Sequence, residues 1–130
     1  MKAFFDTNVI IYAQEDGRKA EIARERLRSG GVISVQVVNE ATNVLRRKYG
    51  ADWDRINRVI GRVLAAVDKP LPITMKTYRL GVDLARSDGF SFFDALLLAA
   101  VINHGCGVMY SEDMQHGRVI NGLEIRNPFV

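Results

Sequence analysis

Four acidic residues stand in settings that call for an explanation. Asp6 lies in KAFFDTNVIIYA, between the apolar runs Ala3-Phe4-Phe5 and Val9-Ile10-Ile11. A carboxylate buried there without donors or a cation is costly. Asp6 therefore either ends a strand and helps cap the next helix, or holds a metal ion. Glu40, in VQVVNEATNVLRRK, shares a helical stripe with Gln36, Asn43 and Arg47, an amide-rich row rather than a purely charged one. Asp94, in FSFFDALLLAA, follows Ser91 at the spacing of a capping box. Asp113, in MYSEDMQHG, is a turn residue or a ligand, and Glu112 is its rival. Ser111 carries a hydroxyl able to orient either acid. Carboxylates gathered in one pocket repel each other and raise one another's pKa. Such a cluster is stable at neutral pH mainly with divalent cations, and its hard oxygens suit Mg²⁺ or Mn²⁺. Paired ions of this kind clamp the attacking and leaving oxygens of a phosphodiester.

Whether the acids meet depends on the elements that carry them. Residues 2–6 read as a short buried strand, and Thr7 or Asn8 as the cap of a helix carrying Val9, Ile10 and Tyr12. A charged helix over residues 19–29 turns Ile22 and Leu27 inward, and Gly30-Gly31 ends it. A second strand covers 32–34. Helices follow over about 35–49 and 52–67, and Pro70 and Pro72 frame a short strand at 71–73. Residues 75–88 read as helix. Residues 92–104, apolar nearly all round, read as a buried helix ended by Gly105. A strand at 108–110, a loop over SEDMQHG and a last strand at 123–125 complete the chain. Strands alternating with helices predict a parallel sheet in an α/β sandwich, as one domain over residues 1–130. Ligands of such sheets bind beyond the carboxyl ends of the strands, where Asp6 and Asp113 both fall.

The rest of the composition narrows the classes. The net charge is +3 and the pI about 9.2, which permits a nucleic-acid partner without demanding one. Arg55, Arg58 and Arg62 share a helix face, preceded by Arg46, Arg47 and Lys48. These cations form a candidate phosphate-binding surface that carries no base readout. The single Cys106 allows no internal disulfide and fits a reducing cytoplasm. One Cys and two His are too few for a zinc cage. No apolar run is long enough to span a membrane, and the N-terminus has no signal-peptide layout. His104, His116 and Cys106 read as structural residues. A phosphoacceptor signalling domain would want paired acids after the first strand and a lysine after the last. Asp6 has no acidic neighbour and no lysine follows Lys76.

DTNVIIY, Glu40 in NEATNVL, FFDALLLAAV and YSEDMQHG together resemble the PIN-domain ribonucleases, especially the VapC-type toxins of bacterial toxin–antitoxin pairs. The resemblance covers essentially the whole chain. It implies a PIN-like three-layer sandwich with a mostly parallel, five-stranded sheet and helices on both faces. It also implies an endoribonuclease dependent on Mg²⁺ or Mn²⁺. Carried over by position, Asp6, Glu40, Asp94 and Asp113 are the catalytic, metal-holding acids. Thr7, Asn8 and Ser111 are supporting polar residues. The implied partners are an RNA substrate, a cognate antitoxin in a groove beside the acids near Tyr12, Ile22 and Leu27, and a second copy in a homodimer. The competing reading is a catalytically silent PIN-like RNA-binding module, which would be expected to have lost one or more of the acids.

Overall fold

The apolar run at the N-terminus becomes the buried strand β1 (Phe4–Phe5), and the chain turns at Asp6 into α1 (Thr7–Tyr12). The structure is a computed structural model that describes residues 2–130. Next come α2 (Arg18–Arg28), α3 (Val35–Arg47), α4 (Trp53–Ala66), α5 (Met75–Asp88) and α6 (Phe92–His104). Then follow β2 (Val108–Tyr110), β3 (Val119–Ile120) and β4 (Leu123–Arg126). The helices fall where apolar spacing and caps predict them, to within two residues. The sequence offers Asp6, Thr7 and Asn8 as caps of α1, and the structure uses one of them. It is Asp6, whose side chain accepts from Thr7 N at 2.7 Å, rather than Thr7 or Asn8. The acid already stands at the strand-to-helix corner, so the residue after it is the first helical one.

The sheet has four strands in the order β1-β2-β4-β3, not the expected five. Phe4 pairs with Met109 and Met109 with Ile125, both in parallel. The expected strands at 32–34 and 71–73 shrink to single parallel bridges, Val32 to Phe4 and Ser34 to Leu71. Their ladders cannot extend. Ser34 already caps α3, accepting from Val37 N, and Pro70 and Pro72 remove the donors on either side of Leu71. Gly31 lets the bridging segment approach. A Cβ there would lie 2.4 Å from the Phe5 ring and 2.7 Å from Ala3 O. Residues 119–120 form an unforeseen strand, β3, antiparallel to β4. Asn121 and Gly122 both have positive φ, the dipeptide of a tight hairpin turn.

One apolar core fills the interior. Phe4, Val9, Val37, Leu98, Val101, Met109 and Ile125 are fully buried in it. Residues Ala95–Val101 of α6 are buried on every side, as an all-round apolar helix requires. Leu27 belongs to the core and Ile22 is half-buried against it, and of the three residues expected beside the acids Tyr12 lines the cleft there. No helix among the described residues is long and apolar enough to cross a membrane.

Candidate active site

The parallel pairing of β1 with β2 places Asp6 and Ser111 side by side at the carboxyl end of the sheet. Asp6 N donates to Tyr110 O at 2.9 Å, and Ser111 N to Arg126 O at 3.0 Å. Ser111 Oγ then donates to Asp6 Oδ2 at 2.7 Å and accepts from Asp113 N at 3.2 Å. One buried hydroxyl thus orients one acid directly and the backbone of another.

Helix α3 packs against α1 and brings Glu40 to the same place. Thr7 Oγ1 donates to Glu40 Oε2 at 2.7 Å, and Gln36 Nε2 to Glu40 Oε1 at 3.1 Å. Asn8 links the remaining parts. Its amide nitrogen donates to Asp113 Oδ2 at 3.2 Å and approaches Asp6 Oδ2 at 3.5 Å. Its carbonyl accepts from Glu112 N at 3.2 Å. The supporting residues named from the sequence, Thr7, Asn8 and Ser111, all touch the acids.

Asp6 is only 6% exposed, and its carboxyl is pushed up from 3.8 to about 6. Burial is the main cause, and the negative charges of Glu40 and Asp113 add to it. Hydrogen bonds from Ser111 and Thr7 N favour the charged form and oppose the rise. Burial beside two like charges favours either a protonated Asp6 or a cation next to it.

Glu112 and Asp113 both line the cleft but have different partners. Glu112 accepts from Lys19 Nζ and from Tyr12 OH, and these bonds hold its carboxyl below the usual range. Lys19 lies over the Tyr12 ring, which meets Phe129 edge-on. Glu112 therefore serves a cation already supplied by α2, while Asp113 turns to Asn8. Nothing local in the sequence marks Lys19 or Tyr12 for this task.

Asp94 sits apart. It is exposed in the first turn of α6, where Ser91 Oγ accepts from its backbone N at 3.3 Å. Among the described residues its carboxylate makes no hydrogen bond, so the capping box is only half formed. The link to the other acids runs through Gln36, whose Nε2 also donates to Phe93 O at 2.9 Å. Among the described residues no three His, Cys, Asp or Glu side chains converge tightly enough to grip one ion. Asp6, Glu40 and Asp113 nonetheless share one electrostatic neighbourhood, and their all-oxygen chemistry fits Mg²⁺ or Mn²⁺.

A cleft of about 410 Å³ opens beside the acids, between α1 and α3. Thr7, Asn8, Glu40, Glu112 and Asp113 line one end, with Ile11, Tyr12, Asn43, Val44 and Lys48 beyond. Among the expected RNA-binding arginines, Arg47 lines an adjoining hollow with Lys48. Arg46 is engaged elsewhere, donating to Ala51 O and lying over the Trp53 ring. Arg55, Arg58 and Arg62 are exposed on α4 and do not line the cleft. His116 Nδ1 accepts from Asn127 N at 2.9 Å and Cys106 is buried, as structural residues would be.

A comparison with curated protein sequences gives no match. Among solved structures, the chain is similar to a toxin–antitoxin complex from Klebsiella pneumoniae, at 22% identity and a TM-score of 0.72, with 97% of each chain covered. It is also similar to Mycobacterium tuberculosis VapC20, a sarcin-ricin loop cleaving toxin, at 21% identity and a TM-score of 0.68, covering 85% of this chain and 89% of that one. A family profile described as PIN domain matches residues 3–120, so the four-stranded α/β fold with its acids at the sheet edge belongs to the PIN-domain family.

Proposed function

We propose that this PIN-domain protein is a metal-dependent endoribonuclease that acts as the toxin of a toxin–antitoxin pair. The observation that carries the reading is the cluster at the sheet edge. A buried carboxylate of raised pKa lies beside two further acids, each held by its own hydrogen-bond donors. The two similar folds, one in a toxin–antitoxin complex and one a toxin that cleaves the sarcin-ricin loop, support RNA as substrate and an antitoxin as partner.

Asp6, Glu40 and Asp113 would hold Mg²⁺ or Mn²⁺, with Asp94 completing the set from α6. A bound divalent ion supplies neutralisation of developing phosphate charge and a water acidic enough to ionise near neutral pH. The chain's own residues do the positioning. Ser111 and Thr7 N keep both Asp6 oxygens in fixed directions. Gln36 ties Glu40 to the start of α6, the turn that carries Asp94. Asn8 couples Asp113 to Asp6, and Arg47 and Lys48 give the RNA backbone a cationic flank. Water attacks phosphorus in line, leaving a 5′-phosphate and a 3′-hydroxyl, and no side chain need act as nucleophile. A homodimer would cover the exposed apolar side chains Met75, Tyr78, Phe92 and Phe93.

The test is RNA cleavage with Mg²⁺ or Mn²⁺ against chelator. Asp6→Asn and Asp94→Asn should each abolish cleavage and growth arrest while circular dichroism stays unchanged. Wild-type activity in both folded variants would defeat the assignment, and metal-independent RNA binding without cleavage would favour the silent module. Pull-down with the protein encoded beside it tests the antitoxin, and light scattering tests the dimer.

A further inference from the structure

The cleft runs from an acidic end to a basic one, and the nuclease reading gives the second no more than a general cationic flank. Glu40 and Lys48 are eight residues apart on α3 and its cap, roughly 12 Å along the axis at 1.5 Å per residue. Between them the lining is apolar, Ile11 from α1 and Val44 from α3, with the exposed amide of Asn43 alongside. At the far end Arg47 and Lys48 have no salt-bridge partner among the described residues. Lys19, by contrast, is consumed by Glu112. Lys48 lies over the Tyr49 ring, which leaves its charge without an acidic partner, and with Arg47 in the adjoining hollow it sets two such cations beside the apolar trough, a place for a phosphate. The whole cleft, acidic end included, has a volume of about 410 Å³, within the range of pockets that enclose a small organic ligand.

We propose that this half of the cleft is a subsite for one nucleotide of single-stranded RNA, next to the bond that is cut. The inference rests on the nuclease reading for its direction along the strand. The base lies against Ile11 and Val44, and the Asn43 amide, donor and acceptor together, meets its edge. Arg47 and Lys48 take the adjoining phosphate. A base can enter such a trough only when splayed from a helix, which selects loops and single strands over duplex. The row Asn43–Arg47 of the amide-rich stripe thereby gains a task that Gln36 and Glu40 do not share. Phosphate contacts fix register, and the amide contact carries the preference for one base over another.

Binding of a fluorescent single-stranded oligoribonucleotide reads the subsite without cleavage, in an Asp6→Asn background with Mg²⁺ present. Lys48→Gln and Arg47→Gln should each flatten the slope of log Kd against log salt by roughly 0.7, the counterion loss for one phosphate contact on a single strand. Lys69→Gln should not. Its neighbour Asp68 pairs with Lys2, at the opposite edge of the sheet. Across oligonucleotides varied one position at a time, Asn43→Ala should erase the preference at a single position. In the active chain it should raise KM more than it lowers kcat. Slopes unchanged by Lys48→Gln and Arg47→Gln, or changed equally by Lys69→Gln, overturn the subsite. So does a base preference that survives Asn43→Ala, or variants that lose only antitoxin binding. Failure of the wild-type chain to cleave RNA, with the slope losses intact, would sink the nuclease reading and keep the subsite.

Discussion

Asp6→Asn should make the metal-free protein more stable while destroying its site. The carboxyl of Asp6 moves from 3.8 to about 6 on folding, because burial and the charges of Glu40 and Asp113 outweigh the bonds from Ser111 and Thr7 N. A rise of that size costs the folded state roughly 3 kcal/mol once the group is ionised, at about 1.4 kcal/mol per tenfold change in proton affinity. The sign follows from proton counts. Between pH 3.8 and about 6 the folded chain holds a proton that the unfolded chain has released. Stability therefore falls as pH climbs through this window and levels off above it. An asparagine keeps the acceptor for Thr7 N, offers its amide hydrogens to the neighbouring carboxylates, and carries no charge. In chelator at pH 7.5 the variant should melt higher by up to roughly 10 °C, at a few degrees per kcal/mol for a chain this long. The gap should shrink as pH falls and lose its pH dependence below about 4. Millimolar Mn²⁺ should then raise the melting temperature of the wild type and not that of the variant, since only a species that binds the ion gains from it. Differential scanning calorimetry across pH, with and without metal, measures all of this. A variant less stable than wild type in chelator at pH 7.5, or a gap as large at pH 4 as at pH 7.5, would refute the electrostatic account.

Two further expectations rest on other parts of the structure. Glu112→Gln should cost less than the roughly 10–100-fold typical of residues that merely orient ligands, because Lys19 and Tyr12 already occupy its carboxylate, whereas Asp113→Asn should cost more; the reverse order in a Mn²⁺-dependent cleavage assay would exchange their roles. Gly31→Ala should destabilise by about 1–3 kcal/mol in urea unfolding, since the new methyl meets Ala3 O, which the bridge to Val32 N holds in place, and an unchanged midpoint would show that the segment yields.

Most of the elements were legible because their causes are local. Apolar spacing marks α3, α4 and α5. The all-round apolar run marks α6, and Phe4-Phe5 marks a buried strand. The antiparallel strand β3 was missed although its turn, Asn121-Gly122, is a strong short-range signal, because residues 119–120 are too few to show a period. The expected strands at 32–34 and 71–73 failed for another reason. Their side chains suit a sheet, but a helix cap and two prolines deny them a ladder. Asp6 and Asp113 could be placed at strand ends, and the amide-rich stripe around Glu40 pointed to a site.

By itself the chain's order of residues determined that acids would stand at the carboxyl edge of an α/β sheet, since the period of each segment and its cap decide which end of an element a residue occupies. Only the tertiary structure decided which acids share a field. Asp6 feels Glu40 and Asp113, Glu112 is claimed by Lys19 across 93 positions, and the carboxylate of Asp94 stays apart while Gln36 bonds the neighbouring Phe93 carbonyl. The reason is physical. Charge interactions depend on distance and on the water removed between groups, and both are set when α1, α2 and α3 pack beside the sheet, not by the spacing of letters along the chain.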